Sequence, residues 1–336
     1  EKQYLVESRL TPLARKAGLS GIGDLVQKMK TGAAALTIDV VEAMTTNETF
    51  FFRDKTPFEH LRETVIPALL QARAARRHLR IWCAAGSTGQ EPYSIAMCLK
   101  EYGPTLTGWR TEIIATDLSN EVLEKSRAGL YSQFEVQRGL PIQLLIKYFK
   151  QVGELWQINP DIRAMVQHRQ LNLLQDFSHL GVFDVIFCRN VLIYFDQQTK
   201  TGVFTRLARQ VEVDGFLALG AAETVVGLTD AFKPHPDRRG LYRPNRVSRL
   251  RGRRECRHPE RRPAGRAFSS EVDTGCVVSS VVRSALVAAQ KPDQQKPRRL
   301  RRGQSGRNGG SGVRPECGLR LRAAHGERSR GPRRSR

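Results

Sequence analysis

Asn47, Thr49 and Arg53 place an amide, a hydroxyl and a guanidinium in one short segment, interleaved with Phe50, Phe51 and Phe52. Three successive Phe side chains make a poor exposed loop, so they are expected to anchor the segment on the body. The three polar groups are then free to face the amino-acid end of a cofactor; the alternative is a plain helix cap with an exposed Arg. A second candidate is the turn Ala84-Ala85-Gly86-Ser87-Thr88-Gly89, whose small residues let backbone approach a ligand. It lacks the G-x-G-x-x-G of dinucleotide sites and the Lys-Ser/Thr ending of a P-loop, which disfavours NAD and phosphate cradling; a tight structural turn is the alternative. Asp117 can accept hydrogen bonds from both hydroxyls of a ribose, or simply cap a helix. Asn190 and Tyr194 follow a further apolar run. A small-residue turn, an acid one strand later and no phosphate-binding feature fit a nucleoside cofactor without a pyrophosphate, of which S-adenosylmethionine is the common one.

These groups need strands to carry them. LRIWCAA (79–85), EIIATDLS (112–119), VQHRQLNLL (166–174), part of FDVIFCRNVLIYF (183–195) and GFLALGAAE (215–223) read as buried strands. Amphipathic helices are expected between them, over QEPYSIAMCLKEY, EVLEKSRAGLY and TKTGVFTRLARQV. This alternation predicts an α/β fold, a parallel sheet with crossover helices. The turn, Asp117 and Asn190 then sit at carboxyl ends of strands, where such sheets open their crevice. GLYRP (240–244) is expected to close the sheet as an edge strand. Upstream, residues 4–30 read as two short helices around Gly18–Gly21, with a third over 37–44. The stretch KQVGELWQINPDIRAMVQHR predicts a hairpin at about 150–168 that turns at Asn159-Pro160-Asp161. Such an insertion either reads a partner or is a structural flap.

The 336 residues carry a formal net charge of +22, but the charge is not evenly spread. Residues 1–245 hold 30 Lys and Arg against 26 Asp and Glu, whereas 246–336 hold 25 against 7. The last stretch has 23 Arg, one aromatic residue (Phe268) and no Ile, Met, Trp or Tyr, a composition for which disorder is the default. No apolar run approaches the roughly 18–20 residues that span a bilayer, and no charged-then-apolar leader suggests secretion. Cys83, Cys98, Cys188, Cys256, Cys276 and Cys317 form no C-x-x-C pair or Cys/His cluster, so no metal is expected and the body thiols read as reduced core residues.

In this order, N-E-T-F-F-F-R, A-G-S-T-G-Q-E-P-Y-S, A-T-D-L-S, L-N-L-L and C-R-N-V-L-I-Y-F closely resemble the chemotaxis receptor methyltransferases of the CheR family, over roughly residues 4–244. The resemblance implies a Rossmann-like S-adenosylmethionine-dependent methyltransferase sheet with a small N-terminal helical domain (1–45). The methyltransferase domain would span 46–245 with a short antiparallel β insertion, followed by an Arg-rich tail (246–336). It implies a cytoplasmic protein-glutamate O-methyltransferase. Its substrate would be glutamate side chains in the cytoplasmic domain of membrane chemoreceptors, its products glutamate 5-O-methyl esters and S-adenosylhomocysteine, and its role chemotactic adaptation. Cofactor contacts are implied at Asn47, Thr49, Arg53, Glu91, Asp117, Asn172, Leu173, Asn190 and Val191. Arg53 would meet the methionine carboxylate, Asp117 the ribose, and Asn172-Leu173 the adenine. Tyr194 is implied at the methyl-transfer site, and Arg73, of the group Arg73, Arg76 and Arg77, near the acidic receptor segment. A glutamate with a pKa of about 4.3 is already ionised at neutral pH, so no strong base is required. The seven His are scattered and no Ser-His-Asp set stands out.

The chain departs from the family in three places. It starts at Glu1 with no initiator Met and with a shorter N-terminal helical region than members usually have, which puts receptor docking through that region in question. Lys150-Gln151-Val152-Gly153-Glu154 is shorter than the glycine-bearing loop of members that bind a receptor's pentapeptide tether, so weak or no tether binding is expected. The tail matches nothing in the family. It reads as sequence translated out of frame or a poorly evolved extension, the functional alternative being unspecific nucleic-acid binding. The near-neutral body carries no basic–aromatic stripe, so no specific nucleic acid is expected, nor direct membrane insertion. Two other readings keep the fold: a methyltransferase acting on another protein or a small acid, and a cofactor-binding regulatory module without turnover.

Overall fold

The computed structural model describes residues 3–245; the expected tail and its three cysteines lie outside the described residues. The chain begins with α1 (Gln3–Lys16), α2 (Ile22–Lys30) and α3 (Ala34–Met44), as the apolar spacing predicts. Their inward faces share an apolar cluster of their own, built on Leu10, Ala14, Leu25, Val26 and Val40. Arg9 of α1 donates to the carbonyl oxygens of Met44 and Thr45, at 3.0 Å each. It satisfies acceptors that a helix end leaves open, and so ties the first helix to the exit of the third.

Next, α4 (Thr56–His60) passes through a π-helical stretch (Leu61–Val65) into α5 (Ile66–Ala72). No element is expected here from the sequence, although Phe58, Leu61, Val65 and Leu69 recur at helical spacing and are all buried.

The strands follow: β1 (His78–Ala84), α6 (Gln90–Glu101), β2 (Arg110–Asp117) and α7 (Asn120–Ala128). Then come β3 (Leu130–Ser132), α8 (Gln133–Gln137), α9 (Ile142–Tyr148), β4 (Phe149–Val152), β5 (Leu155–Ile158), α10 (Pro160–Arg163) and β6 (Val166–Gln170). The remainder is β7 (Phe183–Cys188), α11 (Gln197–Gln210), β8 (Val211–Leu219), β9 (Phe232–Pro234) and β10 (Leu241–Pro244). The main sheet has the order β6-β2-β1-β7-β8-β10-β9. Its first five strands are parallel, and β10 runs antiparallel to both neighbours. Ile81, Cys83, Ile113, Ala115 and Phe187 pack on one side of the sheet, and Trp82, Ala84, Ile114, Ile186 and Cys188 on the other. Burial on both faces is why these strands read as continuous apolar runs. From β1 the chain works outward to β2 and β6, then returns to the other flank of β1 for β7. That reversal puts the switch point between β1 and β7, where open α/β sheets bind ligands.

Two expectations need correction. GLYRP is not an edge strand: β10 lies between β8 and β9, and the edge is the three-residue β9, too short to leave a pattern. The hairpin turns at Gly153-Glu154, with Gly153 at φ +60, rather than at Asn159-Pro160-Asp161. Lys150–Val152 belong to β4 rather than to a loop, and β5 also pairs with β3 in a separate three-stranded sheet. Pro160 opens α10, since its fixed φ suits a helix start as well as a turn. Val166–Gln170 leaves for the main sheet beside β2. Alternation along a strand records burial, not partner.

Cys83, Cys98 and Cys188 are free and buried, as expected of core thiols. No helix among the described residues is long and apolar enough to cross a membrane. Between α8 and α9, Gly139 stands at φ +86, and a Cβ there would lie 2.1 Å from the carbonyl oxygen of Phe51. Gly139→Ala is therefore expected to lower stability by about 2 kcal/mol or more, read as a fall in the urea midpoint with helix and strand content retained.

Candidate active site

The carboxyl ends of β1, β2 and β7 open onto a cavity of about 660 Å³. Asn47, Thr49, Arg53, Glu91, Asp117, Asn172, Leu173, Asn190, Val191 and Tyr194 all line it. The sequence order of these residues says little about this meeting; the strand order makes it.

Asp117 ends β2, and its carboxylate is already engaged. Oδ2 accepts the Ser87 N–H at 2.9 Å and Oδ1 the Ser119 N–H at 3.1 Å. Burial pushes its pKa up, while the backbone donors of Ser119, Ser87 and Leu118 pull against that shift. A carboxylate has about four lone-pair sites, so capacity remains for donors arriving from the cavity. The turn after β1 carries Ala85 and Ser87 at φ +65 and +49, and Ser87 Oγ donates to the carbonyl oxygen of Asn47 at 3.0 Å. This bond joins the turn to the 47–53 segment.

That segment is anchored as its Phe residues suggest, though not by all three alike. Phe51 is fully buried, edge-on to Tyr131 and Phe149 at centroid distances of 5.0 and 5.5 Å. Phe52 packs edge-on to Phe58. Phe50 instead meets two guanidiniums, Arg138 at 4.5 Å and Arg53 at 5.6 Å from its centroid. Arg53 Nη1 donates to the Glu48 carbonyl oxygen at 2.7 Å, and Arg53 makes no ion pair within 4 Å among the described residues. Arg138 pairs with Glu48 at 2.6 Å, which holds the exposed Glu48 carboxyl below the usual range.

Part of the wall is a buried ion-pair network centred on Arg189, a residue that no expectation from the sequence covers. Arg189, whose side chain is fully buried, meets Glu91 Oε2 at 2.5 Å and Asp54 Oδ2 at 2.8 Å, and donates to the Arg53 carbonyl oxygen at 2.7 Å. Burial raises the Glu91 pKa, and Arg189 acts in the opposite sense. The signal available in the sequence is an Arg immediately after the apolar run Val185–Cys188. The cavity also takes Val41, Met44, Thr45 and Thr46 from the end of α3, a contribution with no local signature. On the far rim, Asn190 stands at φ +57 and Tyr194 is 54% exposed. Asn172 Oδ1 accepts the Leu174 N–H at 2.9 Å, closing a side-chain turn. The wall carries no His, Cys or Lys. No cluster of three or more His, Cys, Asp or Glu suited to a metal occurs among the described residues.

Arg73 is a correction. It is buried at the amino-terminal end of the sheet, opposite the crevice, with Nε on Asp184 at 2.7 Å and both Nη atoms on Asp214 at 2.7 and 2.5 Å. The two carboxylates consume the guanidinium, so nothing of it is left for a substrate. Arg76 is tied to the same cluster through Asp184 and Glu212.

The family model of the CheR methyltransferase, SAM binding domain, matches residues 47–257. The chain belongs to the CheR methyltransferase family. It is 44% identical over 236 residues to chemotaxis protein methyltransferase 1 of Pseudomonas aeruginosa, covering 69% of this chain and 86% of that protein. It is 43% identical over 237 residues to Cher2 of Pseudomonas putida, with the same two shares. With chemotaxis protein methyltransferase 1 of Vibrio cholerae the identity is 42% over 236 residues, 69% of this chain and 85% of that one. A solved glycopeptide N-methyltransferase, MtfA with S-adenosylmethionine, aligns at TM-score 0.31 and 14% identity over 52% of this chain and 51% of that one, too distant to bear on residue roles.

As a CheR methyltransferase, the protein uses S-adenosylmethionine, and the donor set of the cavity fits that group. A carboxylate with spare acceptor capacity suits ribose hydroxyls, an unpaired guanidinium suits a carboxylate, and Leu118, Leu171 and Leu173 suit a flat base.

Arg73→Ala leaves Asp184 and Asp214 without their main cation and is expected to cost about 3 kcal/mol in urea, with S-adenosylhomocysteine affinity unchanged by calorimetry. Arg73 depresses the pKa of Asp214 below its ordinary 3.8. That contribution is present above about pH 4 and is lost as pH falls through the depressed value. Acid titration of stability should show this loss in the wild type and a smaller one in R73A.

Proposed function

We propose that this CheR methyltransferase esterifies glutamate side chains in the cytoplasmic part of chemoreceptors, as a protein-glutamate O-methyltransferase of chemotactic adaptation. The observation that carries the reading is the convergence of Asn47, Arg53, Asp117, Asn172, Asn190 and Tyr194 on one cavity. The printed names of the relatives supply the chemotactic setting.

In this reading Arg53 takes the methionine carboxylate by charge-assisted hydrogen bonds, beside Asn47 and Thr49. Asp117 holds the ribose hydroxyls, and Asn172 and Leu173 border the adenine. Glu91 acts through Arg189, keeping the guanidinium and the Arg53 backbone in place, while Asn190 and Val191 form the wall opposite. The bound sulfonium supplies an electrophilic methyl carbon. The acceptor glutamate arrives already ionised, so the protein needs to orient it and exclude water rather than take a proton. A wall without His, Cys or Lys supports that economy. Tyr194, exposed at the rim, positions the incoming carboxylate. One carbon–oxygen bond forms as the carbon–sulfur bond breaks, giving the methyl ester and S-adenosylhomocysteine.

Transfer of labelled methyl to receptor cytoplasmic fragments, followed by mild alkali, is expected to release the label as volatile methanol. Label that stays on the protein, or no transfer despite cofactor binding, would point to another acceptor. Arg53→Ala should weaken S-adenosylhomocysteine binding by about 10–100-fold, the loss of one charge-assisted pair, with the fold intact by circular dichroism. The two-residue turn between β4 and β5 supports weak or absent binding of a receptor's pentapeptide tether. A micromolar dissociation constant by calorimetry would reverse that view.

A further inference from the structure

Glu223 follows β8 and is nine-tenths buried, behind the cavity wall rather than on it. Its carboxylate accepts four backbone N–H groups. Oε2 takes those of Gly220 and Asn190, each at 2.8 Å, and Oε1 those of Val191 and Leu192 at 3.0 and 2.8 Å. A carboxylate offers about four acceptor sites, so its capacity is matched by the donors around it. An amide in its place would offer one oxygen and turn its own N–H groups toward two of those donors.

The turn that Glu223 grips is not one the chain would adopt by itself. Asn190 stands at φ +57, a left-handed conformation that a non-glycine residue keeps where its surroundings impose it. Gly220 completes the grip from the β8 side. A Cβ there would lie 2.8 Å from Glu223 Oε2 and 2.9 Å from Asn190 Nδ2, so only glycine leaves room for the carboxylate and the Asn side chain together. Asn190, Val191 and Tyr194 are cavity wall. The carboxylate thus joins the wall formed after β7 to the end of the neighbouring strand β8.

We propose that Glu223 is a positioning residue for the cofactor, acting through the Asn190–Tyr194 turn that it clamps; this rests on the crevice reading above. It touches neither the cofactor nor the acceptor. Its four charge-assisted hydrogen bonds fix backbone that an aliphatic or amide side chain would release. In a reaction whose catalysis is placement, release of that wall weakens cofactor binding first and transfer second.

The test compares Glu223→Gln, Glu223→Asp and Gly220→Ala with the wild type, by calorimetry with S-adenosylhomocysteine, amide exchange without cofactor, and steady-state transfer. E223Q is expected to weaken S-adenosylhomocysteine binding by about tenfold or more, as displacement of a positioning contact would. KM for S-adenosylmethionine should rise by more than kcat falls, and the amides of 190–192 should exchange faster. E223D keeps both oxygens and the charge and should recover part of the affinity, while G220A should reproduce E223Q. S-adenosylhomocysteine affinity in E223Q and G220A within about twofold of wild type, whatever their thermal stability, would overturn the proposal, a shift smaller than one lost hydrogen bond brings. If E223Q does not fold, G220A decides by the same criterion. A wild-type chain that binds no S-adenosylhomocysteine would overturn the crevice reading as well.

Discussion

One buried guanidinium joins the pieces of chain that make the crevice. Arg189 follows β7, yet its Nη atoms reach Glu91 on α6, 98 positions earlier, and Asp54, 135 positions earlier. A cation with its side chain fully out of water demands paired anions, because an uncompensated buried charge is among the costliest features a fold can carry. Satisfying Arg189 therefore brings the first turn of α6 and the loop after Arg53 to the end of β7. The same guanidinium takes the Arg53 carbonyl oxygen, so the backbone of the 47–53 segment is set by the charge behind it.

That constraint makes sense of the backbone beside it. Phe52, Asp54 and Lys55 all stand at positive φ without being glycine, each at a cost of about 1–2 kcal/mol. Such a run persists because it is fastened from several sides. Phe52 N–H donates to Ser94 Oγ, Phe51 is packed under Gly139, and Asn47 is tied to Ser87 across the crevice. The small three-stranded sheet contributes here too, since Tyr131 and Phe149 from its strands enclose Phe51. The insertion thus supports the segment that carries Arg53.

The two ends of the parallel strands use charge in opposite ways. At the amino ends Arg73 and Arg76 are consumed by Asp184, Asp214 and Glu212, an arrangement that fastens strands together. At the carboxyl ends Arg53 is left without an anion and Asp117 without a cation, each with capacity for an incoming group. Burial raises the pKa of two carboxylates on that side, Glu91 and Asp117. A crevice that is polar at chosen points and whose lining carries no His, Cys or Lys suits a transfer in which placement does the catalysis.

The sequence by itself determined the α/β class, the N-terminal helices and the identity of ten of the residues that line the cavity. Burial periodicity and small-residue turns are local records, and the motifs around Asn47, Asp117 and Asn190 are local too. Tertiary structure alone decided what each residue meets. Arg73 and Arg53 are the same side chain, and only the positions of Asp184 and Asp214, 111 and 141 residues from Arg73, turn one into a strut and leave the other open. The hairpin turn and the edge strand were misread for the same reason, since alternation fixes which face is buried but not which strand lies alongside. Glu223 is the plainest case: nothing near it in sequence marks it, and its role exists because strand order sets β8 beside β7, bringing four backbone donors to one carboxylate.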